Sequence, residues 1–432
     1  MRYIIIRFCC SLLLVSLNFW AGAQDKAAVI KAPSGRQYAV LQKRLTAIDG
    51  LLAEYVKNRW IAGGTALVIK DGKVVYHKSL GTKDLETMEP LRNDAIYRIA
   101  SQTKAITSVG VMILMEEGKL QLDEAVSKYI PEFKNTPVLQ NFNAGDTTYT
   151  TVPAKREITI RDLLTHTSGI GYAQIGNAQM NAIYYKAGIV GGIGVDNLVL
   201  GDKMKLLGSL PLFHQPGERF TYGLNTDLLG YLIEVISGIN LDQFFRQRIF
   251  EPLGMRDTYF YLPPSKHSRL VALHTEDDAQ NKKLVKAIGV QKLNGNFYPD
   301  YPNLKGTYFS GGGGLSSTAY DYGVFMQMLL NGGSYKGKRI ISPATVRMMT
   351  TNQIGSLSIG GGNKFGLGFE IVQPNNSKPL SPGSYLWGGM FSSSYWIDPK
   401  EKMVVQLFLN QYPMSHGEIH NKFRSVVYAA LK

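Results

Sequence analysis

Residues 105–115 read AITSVGVMILM, apolar on nearly every side of a helix. A helix without a polar face has nothing to offer water. It belongs at the centre of a fold, with other elements packed around it. Gly118 is its natural stop. That one segment demands a large core. With 432 residues, 44% of them hydrophobic, the chain has the length for one large domain or two intimately packed ones.

The polar residues at the mouth of this helix are the next constraint. Ser101 falls in its first turn, and Lys104 lies three residues on, along the same face. A serine hydroxyl is a poor nucleophile until a neighbouring base takes its proton. An amine one turn away serves when burial or local charge leaves it partly neutral. The helix start adds free N–H groups and positive dipole, which suit a developing oxyanion. Ser-x-x-Lys alone is a weak pattern and counts only in context. Here Ser101 is the one serine in the sequence with lysine at the third place after it. A lysine on so apolar a helix is either catalytic or part of a structural ion pair.

Strand signals gather at the two ends of the chain. Residues 66–69 and 74–77 flank Asp71-Gly72, a strong hairpin signal. Residues 393–397 and 403–409 flank a second turn at Asp398-Pro399-Lys400-Glu401. An amphipathic helix is predicted over 36–57 and a closing helix over 416–431. The middle is mostly helical, including 101–117, 159–166, 225–237 and 241–248. This pattern predicts an α/β fold, with an antiparallel sheet assembled from both termini, flanked by helices, and an inserted helical domain. The expected division is a sheet domain of 24–95 and 300–432 and a helical domain of 96–299, with the active site between them.

Residues 1–23 read as a secretory signal peptide. Arg2 and Arg7 give a basic start, residues 8–20 are apolar, and Ala21-Gly22-Ala23 offers a cleavage site. The apolar core is short for a retained anchor, and no later stretch is long and apolar enough to span a bilayer. A secreted or periplasmic protein is expected. Cys9 and Cys10 leave with the leader, which excludes disulfides, thiolate catalysis and cysteine-held metals. The net charge of +14 falls to +12 with the loss of Arg2 and Arg7. Such basicity suits anionic wall polymers or a membrane surface, or marks no more than a soluble basic protein. No run of lysines or arginines resembles a nucleic-acid arm.

On these residues the chain resembles the serine β-lactamase and penicillin-binding-protein superfamily, nearest to its class C, D-alanyl-D-alanine peptidase and esterase branch. The first motif is Ser101-Gln102-Thr103-Lys104 inside IASQTKAIT. LMEEGKLQLDEAVSKYIPEF (114–133), ITIRDLLTHTSGI (158–170) and PGERFTYGLNTDLLGYLIEVISG (216–238) follow in order. EPLGMRDTYF (251–260), GGGGLSSTAYDYGVFMQMLLNGG (311–333) and YLWGGMFSSSYWIDPKEKMVV (385–405) complete the series. The ordered set is far more specific than any one block, and it covers nearly all of the chain after the leader.

The resemblance implies a β-lactamase-like fold and an acyl-enzyme on Ser101, with no cofactor or metal. The family's second motif is Tyr-x-Asn. Tyr222 stands in its place and would shuttle protons between serine and leaving group; a packed aromatic is the plain alternative. Leu224 stands where asparagine is usual, and Asn225 comes one residue late. Either Asn225 serves in binding substrate after a local shift, or that asparagine is absent. The third motif, Lys/His-Thr/Ser-Gly, is replaced by Trp387-Gly388-Gly389, whose glycines would let substrate approach closely. The family pattern puts the oxyanion on the N–H groups of Ser101 and Met390. Trp387 removes the cation that would pair with a β-lactam or peptide carboxylate, unless it merely packs under the strand. These departures resemble the family VIII carboxylesterases, so a small-molecule ester is the expected substrate. A β-lactam or cell-wall peptide is the rival, and a receptor that holds such a ligand without turnover is the alternative from another class.

Other signals carry less. His166 follows a capping box at Thr159-Ile160-Arg161-Asp162, and Gly169 closes that short helix, so the block reads as a wall near the site. Residues 332–338 nearly spell a phosphate loop, but Arg339 replaces the required Ser or Thr. His416 and His420 are four apart, with Glu418 misplaced for a zinc protease. No Gly-x-Ser-x-Gly elbow exists. By family likeness, glycines 311–314 are a turn entering the returning sheet, and 360–362 a loop before a strand at 368–372. The insert at 170–210, rich in glycine and tyrosine, is expected to line the pocket.

Overall fold

The computed structural model describes residues 34–194, 198–289, 291–292, 296–376 and 379–432; the expected leader lies outside them. Seven strands form one antiparallel sheet: β1 Gly63–Lys70, β2 Lys73–Gly81, β3 Lys364–Phe365, β4 Glu370–Ile371, β5 Tyr385–Gly389, β6 Ser393–Asp398 and β7 Met403–Phe408. Their spatial order is β3-β4-β5-β6-β7-β1-β2, so the sheet is built from both ends of the chain. The first hairpin closes with Asp71 at φ 52° and Gly72 at φ 71°, the two left-handed residues that a tight two-residue turn needs.

β1, β6 and β7 are buried on both faces. Successive side chains point to opposite faces, so alternate residues feed two separate cores. Leu67, Ile69, Tyr395, Ile397, Val404 and Phe408 join the larger core. Ala66, Val68, Trp396, Val405 and Leu407 join the smaller. Six helices position the rest: α1 Arg36–Leu45, α2 Ala47–Lys57, α3 Thr103–Glu116, α4 Asn225–Ser237, α5 Ala319–Leu330 and α6 Ile419–Ala430. α1, α2 and α6 close the smaller core, while α3, α4 and α5 belong to the larger.

The amphipathic stretch at 36–57 is two helices rather than one. The Thr46 hydroxyl donates to the Lys43 carbonyl at 2.6 Å, competing with the helical ladder at the break. α3 is buried from Thr103 to Leu114, as its composition demands. Gly110 sets how closely α4 crosses it, because a Cβ there would lie 2.9 Å from Ile233 Cδ1. The helix expected at 241–248 is regular only over Leu241–Phe245, then widens into a π turn at Arg246–Phe250. The strand expected at 368–372 pairs only over Glu370–Ile371.

Several histidines sit where charge is costly. Burial lowers His77, His274 and His420 to about 4 each, from an ordinary value of 6.5. Folding therefore favours their neutral forms, and that stabilisation is complete above pH 6.5 and lost as pH falls towards 4. The urea midpoint is expected to drop across this window, and to drop less in His274→Gln. An unaltered slope in that variant would rule out a contribution from His274.

Candidate active site

Ser101 is delivered by a 3-10 turn, Ala100–Gln102, that runs into α3. Ala100 is left-handed at φ 44°, a strained choice for a residue with a Cβ. Ser101 is left partly exposed, while Ala100 and Gln102 on either side are fully buried.

Tyr222, three residues before α4, donates its phenol proton to Ser101 Oγ at 2.7 Å. Lys104 Nζ reaches the same oxygen at 3.4 Å. Its closer contacts are the Tyr172 phenol at 2.9 Å and the Gly312 carbonyl at 2.6 Å. The amine also lies 4.7 Å over the Tyr222 ring, which combines cation–π attraction with a dry setting. These contacts are neutral oxygens, so Lys104 is held by hydrogen bonds rather than by an ion pair.

Two of those partners were not singled out in the sequence. Tyr172 is one tyrosine among several in a glycine-rich insert. Burial, then Tyr222 and Asp227, push its phenol well above the ordinary range, so it stays protonated. Glycines 311–313 make the expected turn, but the chain does not enter the seven-stranded sheet from it. They lie as a strap across α3, with Thr107 Oγ1 donating to the Gly311 carbonyl at 2.7 Å. Beyond them the chain makes a two-residue pairing with Tyr97 and Arg98, then enters α5. The strap must be bare because a Cβ on Gly312 would lie 2.2 Å from Asp227 Oδ2.

The third motif ends β5. β4 pairs only with Tyr385 and Leu386, so Trp387, Gly388 and Gly389 have a partner on the β6 side alone and form an open edge. Trp387 Nε1 points to the Tyr222 oxygen at 3.4 Å, and its ring meets Phe365 edge-on at 5.5 Å. Trp387 therefore both packs and lines the site. Gly389 sits against the nucleophile turn, where a Cβ would come within 2.4 Å of the Ile99 carbonyl. Ser101, Tyr222, Trp387, Gly388, Gly389 and Met390 line one cavity of about 760 Å³. Tyr172, Ile175, Tyr185, Ile189 and Ile193 from the insert form its apolar side.

Asn225 is a correction. It does not line this cavity but is fully buried, accepting from Ser168 Oγ and lying 2.9 Å from His166 Nδ1. Leu224 is equally buried in the core. The chain is not yet helical at 222–224, and Leu224 and the late amide both turn into the core rather than the cavity. Asn225 instead pins the 165–170 loop, whose His166 ring packs 4.9 Å from that of Tyr222. Burial, then the Lys104 charge, hold His166 well below its ordinary range, so it stays neutral. Thr159 and Asp162 form the expected capping box. His416 stacks on Trp60 at 4.3 Å while His420 bonds Ser394 Oγ at 2.8 Å, which separates that pair.

Asn225→Ala strands Ser168 and His166, and is expected to cost about 2–4 kcal/mol of stability. The denaturation midpoint reads this loss, while KM for an ester should stay unchanged. A tenfold rise in KM at unaltered stability would restore a substrate-binding role.

Comparison with known proteins places this geometry. A family model described as Beta-lactamase matches residues 48–428. Protein Rv1367c of Mycobacterium tuberculosis is 31% identical over 367 residues, covering 82% of this chain and 86% of its own. Esterase EstB of Burkholderia gladioli is 27% identical over 390 residues, covering 88% and 94%. The solved structure of EstCE1, a hydrolase with promiscuous acyltransferase activity, matches with a TM-score of 0.76 at 26% identity, covering 90% of this chain and 99% of its own. With the family matched along most of its length, and with the Ser101–Lys104 helix start, Tyr222 and the glycine edge brought together as above, the chain belongs to the β-lactamase family.

Proposed function

We propose that the protein is an exported serine hydrolase of the carboxylesterase type, working through an acyl-enzyme on Ser101. The carrying observation is the 2.7 Å contact between Tyr222 and Ser101 Oγ on the wall of an open cavity. Ser101 Oγ attacks the ester carbonyl as its proton passes to the Tyr222–Lys104 pair, in the form in which the pair has already given up one proton. The ester C–O bond then breaks, and the leaving alkoxide takes that proton. Water, activated by the same pair, splits the acyl-enzyme and frees the serine. The N–H groups of Ser101 and Met390 hold the oxyanion, each contributing about 3–4 kcal/mol in the transition state. On this reading the cavity lies between a sheet domain of 24–95 and 300–432 and a helical domain of 96–299.

Trp387 favours esters over β-lactams and D-alanyl peptides, because an indole stands where a substrate carboxylate wants a cation. The apolar side of the cavity favours a bulky acyl group. A short ester leaves most of that wall uncovered, and each added buried methylene is worth about 0.8 kcal/mol, or roughly fourfold in kcat/KM. Turnover of p-nitrophenyl esters is therefore expected to rise with acyl length until the cavity fills.

Ser101→Ala should abolish that turnover with the melting temperature nearly unchanged; undiminished activity would remove Ser101 from the mechanism. A chromogenic cephalosporin and an acyl-D-Ala-D-Ala peptide should both turn over more slowly than the ester, and the reverse order would make the protein a β-lactamase or peptidase. A lasting mass adduct on Ser101 without released product would make it a receptor.

A further inference from the structure

We infer that Asp227 is a positioning residue for the nucleophile, holding Lys104 through the 311–314 strap and setting by its charge the pH range in which Ser101 is activated. The inference rests on the acyl-enzyme reading above. Asp227 lies in the first turn of α4, five residues after Tyr222, and is 1% exposed. Its Oδ1 accepts from Ser310 Oγ at 2.5 Å. Gly312 lies against the same carboxylate. The carbonyl of that same Gly312 is the closest partner of Lys104 Nζ. One glycine thus lies between the carboxylate it packs against and the amine that donates to its carbonyl.

Two loops are shaped around this carboxylate. A Cβ on Gly312 would lie 2.2 Å from Oδ2, and a Cβ on Gly192 would lie 2.8 Å from Oδ1. Oδ2 nevertheless has no hydrogen-bond partner among the described residues. A buried carboxylate with one bare oxygen is costly unless a cation compensates it. Burial pushes Asp227 up, and the Lys104 charge is the largest influence opposing that shift. The other titratable groups facing this centre are His166, Tyr172, Tyr222 and Tyr308. Burial holds His166 far below its ordinary range and Tyr172 and Tyr308 far above theirs, so those three are neutral. Asp227 is left as the acidic group whose charge acts on Lys104. A carboxylate serving only to pin the strap would need its hydrogen bonds and not its charge.

Asp227→Asn keeps the shape and the acceptor oxygen while removing the charge. Losing a nearby negative charge lowers the proton affinity of every neighbour, so both limbs of the pH–rate profile should move to lower pH by about one unit. The readout is phosphonylation of Ser101 by a fluorophosphonate, in which Oγ bonds phosphorus, fluoride leaves and the serine proton passes to the pair. Profiles are compared over about pH 5–10. A slower rate with the limbs in place would mean a structural pin and overturn the inference, as would an unchanged rate and profile. Ser310→Ala keeps the carboxylate but strips a donor from it, and should move the acid limb the same way by less. If Asp227→Asn fails to fold, an unmoved limb in Ser310→Ala overturns the inference. The probe needs no ester, so a wild type that labels at Ser101 but hydrolyses none refutes the esterase reading and leaves this test in force. A wild type that does not label refutes both.

Discussion

Burial of the Lys104 amine is the constraint around which the site is organised. The group is 3% exposed at the start of a helix that offers it no polar face. Its hydrogen bonds have to come from elsewhere, and the two closest come from partners 68 and 208 residues away. The insert must dock to bring Tyr172, and the strap must dock to bring Gly312. No single segment contains the Ser101–Lys104–Tyr172–Gly312 cluster, which exists only when the insert and the strap both dock on α3.

Covering α3 that closely is a matter of missing side chains. Gly110 admits α4, Gly312 admits Asp227 beneath the strap, and Gly389 admits the Ile99 carbonyl beside β5. The three contacts serve different ends. The first fixes the helix that follows Tyr222, the second aims a carbonyl at the amine, and the third sets the end of β5 against the turn that carries Ser101. A Cβ at Gly389 would push the open edge of β5 off the nucleophile turn, so packing and the proposed oxyanion geometry cannot be varied separately here.

What the sequence revealed is what is local. Asp71-Gly72 announces its hairpin because the turn is decided by two residues, and α3 announces itself by composition. Ser101, Lys104, Tyr222 and Trp387 could be found because their spacing or motif context is short, and the structure brings all four together. Tyr172 and Gly312 could not, since each acts through a contact across the fold that leaves no periodic trace. Asn225 was ambiguous by a single residue, and a motif count could not show that it and Leu224 both face the core. Thr46 broke a helix that hydrophobic spacing alone would continue, because a hydroxyl reaching back to a carbonyl is invisible to a periodicity count.

The indole at Trp387 bears on more than shape. A lysine there would stand beside Tyr222 and Lys104 and add a second positive charge to a partly desolvated site. A substrate carboxylate would neutralise that charge on binding, which is the logic of a site built for charged acyl compounds. An uncharged ester would leave it buried and unpaired. With Trp387 in place the problem does not arise, and the charged side chains that do reach the cavity, Glu370 and Arg424, are of opposite sign and act on one another. On the proposed esterase reading, a cavity so balanced suits substrates that bring no charge, which ties the departure at Trp387 to that proposal.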